Sequence, residues 1–433
     1  MIRTGTVKLW GTTVGYFHLE EGRNYVSFEY DRNFISMGVE VSPIMMPLSN
    51  RIYEFPELSI PAFKGAPGLL ADSLPDRFGN AVIDQWLASE GRTPESFNVV
   101  ERLCYTGKRG MGALEYVPST GPKGDKNESI DLSRLVEFAS AVLEEREKTH
   151  LSVQHDMSYN QLLKLGTPAG GARAKAVVAY NENTGDLCSG QINAGSGYDY
   201  WLIKFDGVSK NGDHDTIDVP EYTMIEYAYY RMALEAGIVM SECRLLEEAG
   251  RKHFMTKRFD RVNGGKLHMQ SFGAISHIDY NEPGLSSYEM AALTSRRMGL
   301  PNNDIEQLYR RMVFNVLGVN QDDHVKNTSF LMDKNGTWKL APAYDITFAC
   351  DTGNKWLQSH QMTINGKRSN ILINDMIACG QNMDLKSQKC KKIIEEVKSA
   401  IKKWHLIANS VGIRENTIEL INNEIEKNKG EKS

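Results

Sequence analysis

Apolar and polar positions alternate with a period of two along TVKLWGTTVGYFHL and again along NYVSFEY, with Gly and Asn between the runs. That period sends successive side chains to opposite faces of a strand, so Met1 to about Pro118 reads as short strands and turns. A helix interrupts the same region. PGLLADSLPDRFGNAVIDQWLASEG predicts it from about Asp76 to Ser89, stopped near Gly91. Ser119 to Ser129 is polar, rich in Gly, Lys and Asp, and reads as a linker. DLSRLVEFASAVLEE then carries the spacing of an amphipathic helix.

The next block has a definite order. GGARAKAVVAY is a Gly-rich turn feeding a strand from about Ala174 to Tyr180. After the turn NENTG, YDYWLIKFD reads as a strand with Lys204 near its end. VPEYTMIEYAYYRMALEAGI is a helix opened by Pro220 and closed by Gly237. HFMTKRFDR is a strand leading into a charged connection. Helical spacing dominates beyond it, over Ser287 to Arg297, Ile305 to Leu317 and Ser387 to Ser410. A strand pair, Thr328 to Met332 and Trp338 to Leu340, turns at Asn335-Gly336. The class is therefore α+β, with a β-rich start, a mixed middle and a mostly helical end.

Composition narrows the picture in three respects. No apolar run approaches a membrane span, and the start of the chain lacks a signal-peptide core, so a cytoplasmic protein is expected. The six cysteines form no C-x-x-C pair, which favours buried reduced thiols over a zinc ribbon or disulfide framework. A formal net charge of −5 makes a poor stand-alone nucleic-acid binder. DNA contact would have to arrive mainly through a partner.

Four parts of a phosphoryl-transfer site occur in sequence. A Gly-rich loop can bring backbone N–H groups close to phosphate, because Gly has no Cβ to obstruct the approach. Lys204, on the following strand, can reach phosphate oxygens, and Glu221 or Glu226 on the next helix can hold that lysine. GVNQDDHVKNTSFL then sets Asp322 and Asn327 five residues apart. That is the interval of H-R-D-x-x-x-x-N, in which the acid takes the acceptor's proton and the amide coordinates metal. Asp323 is the rival base, but its interval is one short. His324 and Lys326 lie between acid and amide. Asp345 in LAPAYDITFA follows a strand, as the metal-binding acid of D-F-G does. Oxygen ligands from two loops suit Mg²⁺ better than zinc. Each piece alone has a plainer reading: GTPAGGARAK lacks the end of a Walker A motif, a lysine ending a strand is commonly a solvated edge, and the acids could be surface groups or caps. The ordered set is what carries the chemistry.

PGLLADSLPD, GGARAKAVV, WLIKF, KRFDR, DDHVKN and LAPAYDI together resemble the HipA family, the kinase toxins of HipA/HipB toxin–antitoxin systems. The resemblance spans about Val7 to the C-terminal helices. It implies a kinase-like two-lobed fold, with a β-rich N-terminal subdomain over 1–120, an N-lobe over 130–258 and a helical C-lobe over 259–433. It also implies ATP- and Mg²⁺-dependent serine/threonine phosphorylation of a protein, typically an aminoacyl-tRNA synthetase such as the glutamyl enzyme, which slows growth and promotes persistence. A small helix-turn-helix antitoxin of the HipB type would bind the chain and operator DNA together and repress the operon; no membrane is implied.

Carried over by position, Asp322 resembles the catalytic base, while Asn327 and Asp345 match the Mg²⁺ ligands. Lys204 matches the phosphate-binding lysine. Ala169, Gly170, Gly171, Ala172, Arg173 and Ala174 match the ATP phosphate loop. Lys257, Arg258 and Phe259 match the adenine hinge, and His324, Val325, Lys326 and Tyr344 border the nucleotide. Glu221 falls where kinase logic would pair it with Lys204. Two positions depart from the family. Pro168 stands where the regulatory phosphoserine would, with Thr167 beside it, and Lys257 stands where some members carry a glutamate. DDHVKN also resembles the D-x-H-x-x-N loop of phosphatidylinositol-type kinases, so a small-molecule or lipid kinase is an alternative. A non-catalytic nucleotide-binding corepressor is another.

Overall fold

The computed structural model describes residues 1–121, 130–145, 173–191, 194–208 and 221–428. Two compact units divide the chain. Unit 1 takes Met1–Asp218, Arg244–Gln270 and Asp333–Gly336; unit 2 takes Val219–Cys243, Ser271–Met332 and Thr337–Ser433.

Unit 1 begins with the alternating runs. β1 (Thr4–Leu9), β2 (Thr12–His18) and β3 (Ser27–Tyr30) join β4 (Leu114–Val117) in an antiparallel sheet ordered β3-β2-β1-β4. Val7, Leu9, Phe17 and Phe28 are buried by it. The helix expected from Asp76 is α1 (Arg77–Ser89), and Asp76 caps it by accepting the Gly79 N–H at 2.6 Å. α2 (Val99–Thr106) opens with a capping box between Asn98 and Glu101. α3 (Leu132–Glu145) follows.

A second sheet, ordered β6-β5-β7-β9-β8, is built from β5 (Lys175–Tyr180), β6 (Leu187–Ser189), β7 (Asp199–Lys204), β8 (Cys243–Glu248) and β9 (Arg251–Lys257). Ala176 and Val178 lie opposite Ile203 and Trp201 across the β5–β7 ladder. These four share a core with Phe78 and Val82 of α1 and Leu135 and Val136 of α3, so the two helices cover one face of the sheet. Burying Trp201 and its neighbours contributes on the order of 2 kcal/mol per large side chain. Lys204, displaced by one residue from Ile203, belongs to the other face.

Unit 2 is mostly helical. α4 (Tyr222–Glu235), α5 (Tyr288–Arg297), α6 (Asn302–Leu317), α7 (Ile373–Asn382), α8 (Ser387–Ile401), α9 (Trp404–Val411) and α10 (Glu415–Lys427) enclose a core around Leu308, Met312, Ile393 and Trp404. β10 (Ser329–Met332) and β11 (Trp338–Leu340) pair antiparallel, and the expected turn is present, with Gly336 at a φ of 80°. The single helix expected from Ser387 to Ser410 is two. The chain bends at Lys402–Lys403, which seats the Trp404 ring 5.5 Å from Tyr229 and lets its indole N–H donate to the Ile418 carbonyl at 3.1 Å. Packing of a large aromatic decides that break, and periodicity carries no signal for it. All six cysteines are free thiols. Among the described residues, no helix is long and apolar enough to cross a membrane.

Candidate active site

The loop carrying the candidate base starts where α6 ends. Gln321 N–H donates to the Ala349 carbonyl at 2.8 Å, and Ala349 N–H donates to the Val319 carbonyl at 3.1 Å. These bonds fix the loop's first residues. His324 then caps a single 3₁₀ turn over Val325–Asn327, closed by Asn327 N–H to the His324 carbonyl at 2.9 Å. The Asn327 side chain folds back, its Nδ2 donating to the main-chain carbonyl of half-buried Asp322 at 2.8 Å. The N–H end of the amide is thus committed within the loop.

Asp345 lies just beyond a bridge between Ala343 and Met240, and has a φ of 51°. This left-handed region is one that Asp and Asn enter more readily than most residues. Asn327 and Asp345 line one pocket of about 20 Å³ together with His324, Tyr344, Arg311 and the rival base Asp323, whereas Asp322 is not part of its lining. A carboxylate and an amide oxygen in one pocket are the hard donors that Mg²⁺ takes, so these residues fit such an ion.

The other residues singled out around this loop hold its shape. Val325 is buried against Gly273, where an added Cβ would come 2.8 Å from Val325 Cγ2. The Tyr344 hydroxyl donates to the Lys326 carbonyl at 2.5 Å, so Ser329 Oγ, also at 2.5 Å, donates to Tyr344. Lys326 Nζ lies 4.2 Å from the centre of the Tyr280 ring, a cation–π contact, and the His324 ring is 6.0 Å from the same ring. His324 Nδ1 is buried without a hydrogen-bond partner among the described residues.

Asp323 is 2% exposed and meets three donors. Its Oδ2 accepts the Tyr288 hydroxyl at 2.8 Å and faces His360 Nδ1 at 2.9 Å, while Oδ1 accepts the Gln361 N–H at 2.7 Å. Both carboxylate oxygens of Asp323 are thus engaged by neighbouring donors, although the residue also lines the pocket. Sequence reasoning missed Arg311. This buried residue of α6 donates from Nη2 to the Ala341 carbonyl at 2.6 Å, and burial pushes its guanidinium down to about 10. The available signal was a pair of arginines, Arg310 and Arg311, inside a mostly apolar helical run, Leu308 to Leu317.

In unit 1, Lys204 is buried at the end of β7, flanked across the ladders by Lys175 and Phe254. Its Nζ lies 5.8 Å from the Phe254 ring centre. Lys175 pairs with Asp76 at 3.4 Å, both side chains buried. Of the expected phosphate loop, Ala169, Gly170, Gly171 and Ala172 lie outside the described residues, as do Thr167 and Pro168. Arg173 is half-buried, and Ala174 is buried with its carbonyl accepting the Phe205 N–H at 3.3 Å.

The KRFDR segment is held by its own charges. Arg258 grips Asp260 with two bonds, Nε to Oδ1 at 2.9 Å and Nη2 to Oδ2 at 2.7 Å; Arg261 Nη1 and Gly112 N–H each reach Oδ2 at 2.7 Å. Burial works against the Asp260 charge, but Arg258, Arg261 and the Gly112 N–H outweigh it and hold the carboxyl at about 2. Lys257 pairs with Asp199 at 2.6 Å, and Phe259 is half-buried. Glu221, the expected partner of Lys204, sits in unit 2 and gives its carboxylate to Arg414 at 3.1 Å and the Thr417 hydroxyl at 3.1 Å. Glu226, a little more than one turn on, is buried.

Comparison with known proteins covers nearly the whole chain. The HipA N-terminal domain family matches residues 5–117, and the HipA-like C-terminal domain family matches residues 167–404. A Sinorhizobium fredii protein and a Haemophilus influenzae protein, both bearing the name "Putative kinase", are each 29% identical, over 34% and 33% of this chain. The matches span 36% and 47% of those relatives' own lengths. A solved chain from the Shewanella oneidensis MR-1 complex of HipA, HipB and operator DNA superposes with a TM-score of 0.66 at 14% identity, covering 98% of this chain and 96% of that one. The α+β fold read from the sequence is thus the fold of that chain.

Proposed function

This chain belongs to the HipA family, and from that premise we propose that it is an ATP- and Mg²⁺-dependent serine/threonine protein kinase that restrains growth by phosphorylating a protein substrate. The observation that supports this most is the grouping in unit 2: Asn327 clasps the Asp322 main chain, and Asn327 and Asp345 line one pocket. Asp322 is the base that accepts the proton of the acceptor hydroxyl as its oxygen bonds to the γ-phosphorus and the bond from that phosphorus to the β,γ-bridging oxygen breaks, releasing ADP. Asn327 and Asp345 would hold Mg²⁺, which when bound would supply charge neutralisation for the triphosphate. Lys204, with the Ala169–Ala174 loop, binds phosphate oxygens, and Lys257 to Phe259 receives adenine. His324, Val325, Lys326 and Tyr344 border the nucleotide.

Residues 1–120 form the β-rich accessory subdomain in this reading, 130–258 the nucleotide-binding lobe and 259–433 the catalytic lobe. The chain works in the cytoplasm with a HipB-type helix-turn-helix antitoxin and reaches operator DNA mainly through it. The HipA–HipB–operator assembly of the Shewanella relative supports that partnership, and the acidic net charge agrees with it. An aminoacyl-tRNA synthetase, the glutamyl enzyme first, is the substrate class to test.

The test is phosphoproteomics after brief expression of the chain and of its Asp322→Asn variant. A serine or threonine phosphosite that appears with the parent and not with the variant supports the reading. Identical phosphoproteomes overturn it.

A further inference from the structure

A buried polar chain runs beneath the loop that presents Asp322. It begins at Asp323, whose carboxylate is enclosed by Tyr288, His360 and the Gln361 N–H. The Tyr288 hydroxyl, having given its proton to Asp323, accepts from Asn315 Nδ2 at 2.9 Å. Asn315 Oδ1 accepts from Asn320 Nδ2 at 3.0 Å, and the same Nδ2 lies 3.4 Å from the Asp345 carbonyl. Tyr288, Asn315, Asn320 and Asp323 are all buried. One continuous path therefore joins the residue after the proposed base to the main chain of the second acid.

Burying a carboxylate is unfavourable unless donors enclose it, as they do Asp323, while Asn320 Oδ1 at the other end of the chain is buried with no partner among the described residues. An apolar residue at 323 would fill the same space without that demand. What the polar chain adds is direction: each bond restricts the angle at which its partners can sit. Phosphoryl transfer depends on such placement, and a displacement of about 1 Å can cost roughly a hundredfold in rate.

We propose that Asp323, acting with Tyr288, Asn315 and Asn320, is a positioning residue that fixes the separation of the Asp322 and Asp345 side chains. This rests on the kinase reading above. Asp323, Tyr288, Asn315 and Asn320 line the same pocket as Asn327 and Asp345, but both Asp323 oxygens are engaged by the fold, so Asp323 acts through the main chain on either side of it.

The experiment compares the full-length parent with Tyr288→Phe, Asp323→Asn and Asp323→Ala. Label transfer from γ-³²P-ATP·Mg²⁺ to lysate protein gives initial rates, normalised to nucleotide-binding molecules, and thermal melting reports folding. Tyr288→Phe keeps the ring and removes only the hydroxyl link. Its kcat is expected to fall about tenfold with the KM for ATP within twofold of the parent. Asp323→Asn retains an acceptor and is expected to keep more activity than Asp323→Ala. If Asp323→Ala does not fold, Tyr288→Phe decides the matter alone. Transfer at the parent rate by folded Tyr288→Phe overturns this inference and leaves the kinase reading standing. No transfer by the parent overturns both.

Discussion

The Asn327 side-chain amide donates to the Asp322 main-chain carbonyl at 2.8 Å, so the proposed metal ligand also braces the residue proposed as base. Replacing Asp322 by Asn removes the proton acceptor and leaves this brace, which uses only main chain at 322. Phosphoryl transfer is expected to fall by roughly 10²–10⁴-fold with ATP affinity nearly unchanged. Initial rates and calorimetric ATP titration check both halves. Asn327→Ala loses ligand and brace together, so its rate and its Mg²⁺·ATP affinity are expected to drop in parallel.

At Asp345 the informative change is Asp345→Asn. Asn accepts the left-handed backbone found there, so the fold is retained and only charge is lost. Mg²⁺·ATP affinity is expected to weaken about tenfold or more, on the scale of a lost charge-assisted ligand. Equal affinity for parent and variant would remove Asp345 from the metal site.

Asp260 governs the stability of unit 1. Asp260→Ala removes the carboxylate that pairs with buried Arg258 and half-buried Arg261, leaving them only main-chain carbonyl partners such as Gly110. Breaking a buried pair from one side typically costs about 3–5 kcal/mol. Urea unfolding of the variant is expected to show a loss in that range, and a loss below about 1 kcal/mol would count against a structural role for the KRFDR charges.

Acid should destabilise the protein in two steps. Burial depresses His268 and His277 to about 4, and His253 to about 4 despite the opposing Asp206 charge. An unfolded chain protonates these rings near pH 6.5, so their contribution is complete above that and is lost as pH falls toward 4. Asp260, held at about 2, contributes about 2 kcal/mol above its unfolded value near 4, and that goes as pH falls toward 2. Melting temperature against pH checks the order. His268→Gln, which can still donate to the Val41 carbonyl as the imidazole Nε2 does at 2.9 Å, should flatten the upper step.

Local physics determined most of the element list from sequence. The period of two at Thr6 to His18, the cap at Asp76 and the turn at Gly336 each depend on neighbours a few residues away, and the strands, helix start and hairpin are where they were expected. The five-residue interval from Asp322 to Asn327 is local too, and it becomes a side-chain-to-carbonyl bond. Tertiary structure alone decided the rest. No spacing says that Asp323 meets His360 across 37 residues, that Arg258 turns to Asp260 while Gly112 reaches the same carboxylate, or that Glu221 meets Thr417. Those partners are chosen by desolvation: a buried charge takes whichever donor the packed core brings within about 3 Å, and that choice exists only once distant helices and strands have met.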